Sequence, residues 1–83
     1  MTLDILYFAW VRERIGTPSE TVETHAETVA ELLDELRARE ERYALALSDI
    51  SALRVAVDQD LAALDTPLAT AREVAIFPPM TGG

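Results

Sequence analysis

Gly82 and Gly83 close the sequence behind Pro78, Pro79, Met80 and Thr81, and the carboxylate they carry has the setting most suited to chemistry. A carboxylate that must enter another protein's active site has to pass a narrow channel. Two residues without side chains let the backbone do so and adopt whatever φ and ψ the site demands. Pro78 and Pro79 stiffen the root of such an arm toward polyproline geometry, which lowers the entropy lost on insertion. From Pro79 to Gly83 an extended arm reaches about 16 Å, at roughly 3.3 Å per residue. The competing reading is a frayed tail with no role.

Few other groups compete with this terminus. The chain has no cysteine, which excludes disulfides, thiolate nucleophiles and zinc–thiolate sites; any sulfur it handles must be borrowed. The single histidine, His25, lies in a polar strand without a serine or cysteine partner nearby in sequence and reads as a surface residue. The carboxylates are spread over turns and one helix face, and no phosphate-cradling glycine loop, zinc signature or nucleotide fingerprint is present. The isolated chain is therefore not expected to be catalytic, nor to bind a cofactor of its own.

The elements that would position the arm form one small domain. With 83 residues, 49% of them hydrophobic and 27% charged, the chain can build a single core that buries about 60% of the unfolded surface. A net charge of −8 disfavours nucleic acid and anionic lipid, whose binding rests on lysine and arginine contacts, and suits a basic protein partner. No apolar run approaches the roughly 20 residues of a membrane span, and the amino end lacks the basic segment of a signal peptide. A cytoplasmic location is expected. All seven basic residues are arginine. Codon bias is one reading of this; the other is that no side-chain amine is present to intercept the chain's own activated carboxyl group.

"LDILYFA" (residues 3–9) alternates Leu3, Ile5 and Tyr7 with Asp4, Leu6 and Phe8 and reads as a central strand buried on both faces, or nearly so. "WVRERIG" is one or two helical turns stopped by Gly16, and "PSETVETHA" a more exposed strand. "TVAELLDELRARE" is the clearest helix: Val29, Leu32, Leu33 and Leu36 make one apolar stripe, and Thr28 with Glu31 matches a capping box. "ERYALALSD" continues as a second helical segment. "ALRVAVDQ" is a strand, "DQD" a turn into the short "LAAL", Pro67 stops the following loop, and "EVAIF" is a last strand ended by proline. The expected fold is α+β: a mixed sheet packed on one main helix, with the arm leaving the last strand.

The segments "FAWVRE" (residues 8–13), "RYALAL" (residues 42–47) and above all "EVAIFPPMTGG" (residues 73–83) resemble the small subunit of molybdopterin synthase, the MoaD family of ubiquitin-like β-grasp sulfur carriers, over essentially the whole chain. The resemblance implies a β-grasp domain over residues 1–79 and a flexible diglycine tail over 80–83. It also implies a mechanism. A ubiquitin-activating-like adenylyltransferase uses ATP to adenylate the Gly83 carboxylate, and a sulfur donor protein converts it to a thiocarboxylate. The tail, with Gly82 beside the reacting carbon, then delivers sulfur to cyclic pyranopterin monophosphate inside the large subunit of a heterotetrameric synthase. Phe8, Leu61 and Phe77 are similar to the family's partner-binding apolar patch, with Pro78 and Pro79 leading from it, and Arg12 to its partner-contacting arginine. Core packing is the alternative for Phe8 and Phe77, and an internal salt bridge for Arg12. The sequence departs from the family pattern at Ala71 and Arg72, before the last strand, and at Asp58, where asparagine is frequent; the Asp58 change carries no evident consequence at this level.

Three other readings share these features. A sulfur carrier for thiamine or cysteine synthesis would have the same end, although its usual members lack the FAxxRE-like segment. A ubiquitin-like protein modifier would attach Gly83 to target lysines. A plain interaction domain would leave the tail inert.

Overall fold

A computed structural model describes residues 1–79. The elements run β1 (Thr2–Tyr7), α1 (Ala9–Ile15), β2 (Ser19–Glu23), α2 (Val29–Arg37), α3 (Glu41–Ala46), a 3₁₀ turn (Ile50–Ala52), β3 (Arg54–Val57), β4 (Asp60–Ala62) and β5 (Glu73–Phe77). The strands make one mixed sheet in the order β2-β1-β5-β3-β4. Its centre is the parallel pair β1 and β5, in the register Asp4 with Glu73 through Tyr7 with Ile76, and every other pairing is antiparallel.

Period-2 alternation decides what each strand buries. Leu3, Ile5 and Tyr7 of β1, Val22 of β2, Val55 of β3, and Val74 and Ile76 of β5 point to one face and share a core with Val11, Ile15, Val29, Leu32, Leu33 and Leu36 of the helices. The apolar stripe of α2, the main helix, lies against this face, and the shorter α1 and α3 pack beside it. The opposite face has no helix on it. This corrects the expectation that β1 is buried on both faces: Asp4 and Phe8 are exposed and Leu6 is half-buried, because apolar residues occur at both parities while the chain has only one layer to cover them.

Local signals act as the sequence dictates. Gly16 closes α1 in the left-handed region at φ 95°, its N–H donating to the Arg12 carbonyl, a conformation glycine adopts without a Cβ clash. Thr28 caps α2: its Oγ1 accepts from the Glu31 N–H at 3.3 Å and also donates to the Glu31 carboxylate at 3.4 Å. The two hydroxyl contacts replace the return bond from Glu31 to the Thr28 N–H expected of a capping box. Asp58 and Gln59 join β3 to β4 with φ of 49° and 73°, the two left-handed residues of a type I′ hairpin turn.

Asp58 does more than turn the chain, which corrects the reading that its identity carries no consequence. Its Oδ1 accepts from the N–H groups of both Arg72 and Glu73, each at 3.0 Å, tying the β3–β4 turn to the start of β5. These two bonds hold its carboxyl below the ordinary aspartate value. A group whose folded pKa is depressed contributes stability above its unfolded pKa, and that contribution disappears as pH falls through the folded value. Asp58→Ala should therefore lower the melting temperature at neutral pH. It should lose progressively less, relative to wild type, as pH drops below the ordinary value of 3.8. Asp58→Asn, which keeps an acceptor oxygen, should retain most of the stability; melts across the acid range check both.

One carboxylate lies on the helix-covered side of the sheet. Glu20, opposite Ile5 in the edge strand β2, accepts through Oε2 from the phenols of Tyr7 at 2.8 Å and Tyr43 at 2.6 Å, and through Oε1 from Arg39 at 3.3 Å. Burial by itself works to raise its pKa, but the bonds from Tyr43 and Tyr7 and the Arg39 charge outweigh it and hold the carboxyl below its usual range. Burial and the same carboxylate push both phenols up. Glu20→Ala should cost about 1–3 kcal/mol, since it strips the acceptor from two donors at once; equilibrium unfolding in urea measures it.

Candidate functional site

The parallel register of β1 and β5 carries both strands to the same end of the sheet, and there the candidate residues collect. The Phe8 N–H donates to the Ile76 carbonyl at 3.1 Å, continuing the ladder by one residue beyond β1, so Phe8 lies beside Phe77. Arg54 is the antiparallel neighbour of Phe77 on its other side. The next row along the open face is apolar from β1 to β4: Leu6 pairs with Ala75, Ala75 with Ala56, and Ala56 with Leu61, while Ser19 of the edge strand β2 lies on the other side of Leu6. Phe8 is 45% and Leu61 73% exposed; Phe77, Pro78 and Pro79 are half-buried.

The structure thus brings Phe8, Phe77 and Leu61 onto one uncovered sheet face and sets Pro78 and Pro79 at its edge. Neither phenylalanine belongs to the core cluster, which corrects the core-packing alternative for both. Arg12, in the first turns of α1, is exposed and has no carboxylate within ion-pair distance among the described residues, so the internal salt bridge does not form there. Gly82 and Gly83 lie outside the described residues. His25 is exposed beside Met1 and Glu27 in an open cleft.

Phe8 is held by an abrupt change of backbone. Its N–H belongs to the sheet, whereas its carbonyl accepts from Val11 and Arg12 and starts α1. The residue that follows makes the corner: Ala9 has φ 52°, a left-handed conformation that costs a residue with a Cβ about 1–2 kcal/mol. Nothing in the sequence signals this corner, because the usual markers, glycine or asparagine, are absent. Sequence reasoning also passed over Leu6, Ala56, Ala75 and Arg54 as surface residues; their shared face emerges only from strand pairing.

No helix among the described residues is long and apolar enough to cross a membrane. Among them, too, no group of three or more histidine, aspartate or glutamate side chains is arranged to hold a metal ion. The site is an uncovered apolar sheet face with Pro78 and Pro79 at its edge.

A sheet with its first and last strands parallel at the centre, wrapped on one side around helices, defines the ubiquitin-like β-grasp class. Solved structures with this architecture include SAMP1 from Haloferax volcanii, which covers 100% of both chains at a TM-score of 0.75 and 26% identity. A putative molybdopterin converting factor subunit 1 from Pyrococcus furiosus, at a TM-score of 0.74 and 22% identity over 96% of this chain and 99% of that one, shares the fold. Within that class the chain belongs to the ThiS family, whose family model matches residues 5–83. Its curated relatives include the molybdopterin synthase sulfur carrier subunit of Escherichia coli (strain K12), 44% identical over 81 residues, which are 98% of this chain and 99% of the relative. The protein of the same name from Mycobacterium tuberculosis is 36% identical over 83 residues, 98% and 96% of the two chains.

An aromatic side chain at the edge of an apolar face is the usual anchor of a protein interface. Phe77→Ala should weaken binding of a protein partner seated on this face by about 1 to 4 kcal/mol, the range for truncating such an anchor, while the melting temperature changes little because Phe77 is outside the core. Titration calorimetry beside a thermal melt checks this, and unchanged affinity would make Phe77 a bystander.

Proposed function

We propose that this chain is the sulfur carrier of a molybdopterin synthase, with Gly83 as the atom-bearing residue and the open sheet face as its docking surface. The observation that carries the reading is end-to-end similarity at 44% identity to a protein named as that carrier, together with a family match that runs through Gly83. The apolar row of Leu6, Ala75, Ala56 and Leu61 supports it, since it leads to the strand from which the diglycine segment continues.

In this reading the Gly83 carboxylate attacks the α-phosphorus of ATP in an activating enzyme, and pyrophosphate leaves. The carboxylate is a poor electrophile, and the acyl adenylate supplies a good leaving group. The terminal sulfur of a donor protein's persulfide then adds to the acyl carbon and AMP departs, giving an acyl disulfide; a second thiol attacks the donor's own sulfur, which releases the thiocarboxylate and leaves a disulfide behind. Docked on the large subunit, the chain presents that sulfur to cyclic pyranopterin monophosphate, and two deliveries complete a dithiolene. ATP is the activating enzyme's substrate, and this chain contributes no catalytic side chain: Phe8, Leu61, Phe77 and Arg12 hold the partner while Gly82 lets the end thread. A large-subunit pair carrying two such chains gives the heterotetramer.

Two alternatives differ by the fate of the acyl group. A carrier for thiamine or cysteine synthesis would deliver sulfur elsewhere, and a protein modifier would form an isopeptide. The first is disfavoured by the names of the curated relatives.

Co-expression with an activating enzyme and sulfur donor should yield a species about 16 Da heavier by intact mass, sulfur having replaced one carboxyl oxygen. Its persistent absence would sink the carrier reading. Every residue of the described core lies between Leu3 and Ile76, so deleting Gly83 should leave the melting temperature nearly unchanged. It displaces the terminal carbonyl by roughly 3.3 Å, and a misplacement near 1 Å already costs about 100-fold in rate. Sulfur transfer should therefore collapse, and a truncated chain that still carries sulfur at wild-type rate refutes the role of Gly83.

A further inference from the structure

The open sheet face is charged as well as apolar, and its charges are sorted by position. The row at the tail end holds Phe8, Phe77 and Arg54, and the next row is apolar from β1 to β4, with Ser19 of the edge strand β2 beside Leu6. The row beyond it is acidic: Asp4 pairs with Glu73 in the centre of the sheet, and Glu23, opposite Thr2 on the same face, extends the acidic end to the edge strand. Asp58 borders this row with its Oδ1 occupied by two backbone N–H groups; Asp4 Oδ1 accepts from the Thr21 hydroxyl at 3.0 Å, Glu23 lies 4.0 Å from the Met1 ammonium group, and Glu73 carries a carboxylate without a side-chain partner among the described residues.

Arg54 is one of four arginines, with Arg12, Arg14 and Arg72, that have no carboxylate within ion-pair range among the described residues, and it is the one that lies on the open sheet face beside Phe77. The chain has 15 acidic and seven basic residues, and Arg37, Arg39 and Arg42 each have a carboxylate within ion-pair range. Arg54 has none among the described residues. Its Nη1 donates to the carbonyls of Leu53 at 2.8 Å and Ser51 at 3.4 Å, while Nη2 and Nε make no hydrogen bond among those residues. An unpaired guanidinium thus lies beside the aromatic anchor Phe77, and Arg12, equally unpaired, sits at the same end of the sheet at the start of α1.

We propose that this polarity fixes the orientation in which a protein partner seats on the face, and that Arg54 is a specificity-determining residue for docking. The partner surface has an apolar centre for Leu6, Ala56, Leu61 and Ala75, a carboxylate opposite Arg54, and lysine or arginine side chains opposite Asp4 and Glu73. The two poles are four residues apart along β5, about 13 Å at 3.3 Å per residue. That exceeds the screening length of about 8 Å at physiological ionic strength, so each pole is read separately and a reversed partner meets like charge at both.

The inference rests on the sulfur-carrier reading for the identity of the partner used to test it. Association with purified large subunit of molybdopterin synthase is followed by stopped flow at several salt concentrations for wild type, Arg54→Glu, Glu73→Arg and Glu41→Arg. Glu41, exposed at the start of α3 and off the face, receives the same charge change as Glu73 and controls for net charge. Arg54→Gln and Asp4→Asn, milder at the same positions, cover any variant that fails to melt as wild type does. Arg54→Glu and Glu73→Arg should each slow association by about tenfold at low salt, an effect that shrinks as salt rises, and Glu41→Arg should not. Equal effects at Glu73 and Glu41, or less than about a twofold change at Arg54, would overturn the proposal even where wild type binds and carries sulfur. Slowing of adenylate formation by Arg54→Glu with large-subunit binding unchanged would assign the guanidinium to the nucleotide and overturn it equally. Wild type that binds no large subunit and gains no sulfur would overturn the carrier reading along with it.

Discussion

The parallel pairing of β1 with β5 is the constraint on which the rest of the molecule depends. Parallel neighbours cannot be joined by a tight turn; they need a long crossover. Here the crossover is everything from Phe8 to Arg72, and it must supply both the helices that cover one face and the strands that flank the pair. Because the two strands run the same way, they finish at the same end of the sheet. The corner at Ala9 and the proline pair after Phe77 are therefore neighbours in space, although almost 70 positions separate them in sequence. A docking face and the segment leading to Gly83 are brought to one edge by hydrogen-bond register alone.

The end of β1 is secured from beneath. Tyr7, the residue before Phe8, sends its phenol to Glu20, and Glu20 also receives Tyr43 of α3 and the Arg39 guanidinium. The edge strand, the central strand and the third helix thus meet at one partly buried carboxylate. The guanidinium groups of Arg39 and Arg42 also lie 5.2 and 5.0 Å from the centre of the Tyr43 ring, and Arg42 donates to the Ile15 carbonyl at 2.8 Å. Arg37 reaches the Leu47 carbonyl at 3.1 Å and Arg14 stacks on Trp10. A planar, multiply donating group suits each of these contacts, and an ammonium group would not satisfy them equally. The all-arginine composition accordingly has structural reasons at these positions, independent of codon usage or of any need to exclude amines.

Much of this was legible in the sequence wherever the signal is local. The stripe of Val29, Leu32, Leu33 and Leu36, the Gly16 stop, the turn at Asp58 and Gln59, and the proline after Phe77 each declare themselves within a few residues. The proposed docking residues Phe8, Leu61, Phe77 and Arg12 came from resemblance to a family, not from periodicity. What stayed hidden is what strand pairing creates. Leu6 cannot be seen to continue through Ala75 and Ala56 to Leu61 until the register is known, and apolar residues at both parities of β1 read as double burial when they mark an uncovered face. Ala9 was hidden for a different reason: its strained backbone is imposed by the ladder on one side and α1 on the other, and its own side chain gives no sign of it.

An uncovered apolar face on a small domain is an invitation to self-association, and the charge pattern bears on that hazard. Two copies brought face to face in the antiparallel sense would set Arg54 against the acidic end of the other, but each approaches carrying a net charge of −8, and that repulsion opposes the encounter. The same surplus favours a partner of opposite sign. Net charge selects which molecules come near, the apolar row supplies contact area once they do, and the separation of Arg54 from Asp4 and Glu73 distinguishes one seating from its reverse.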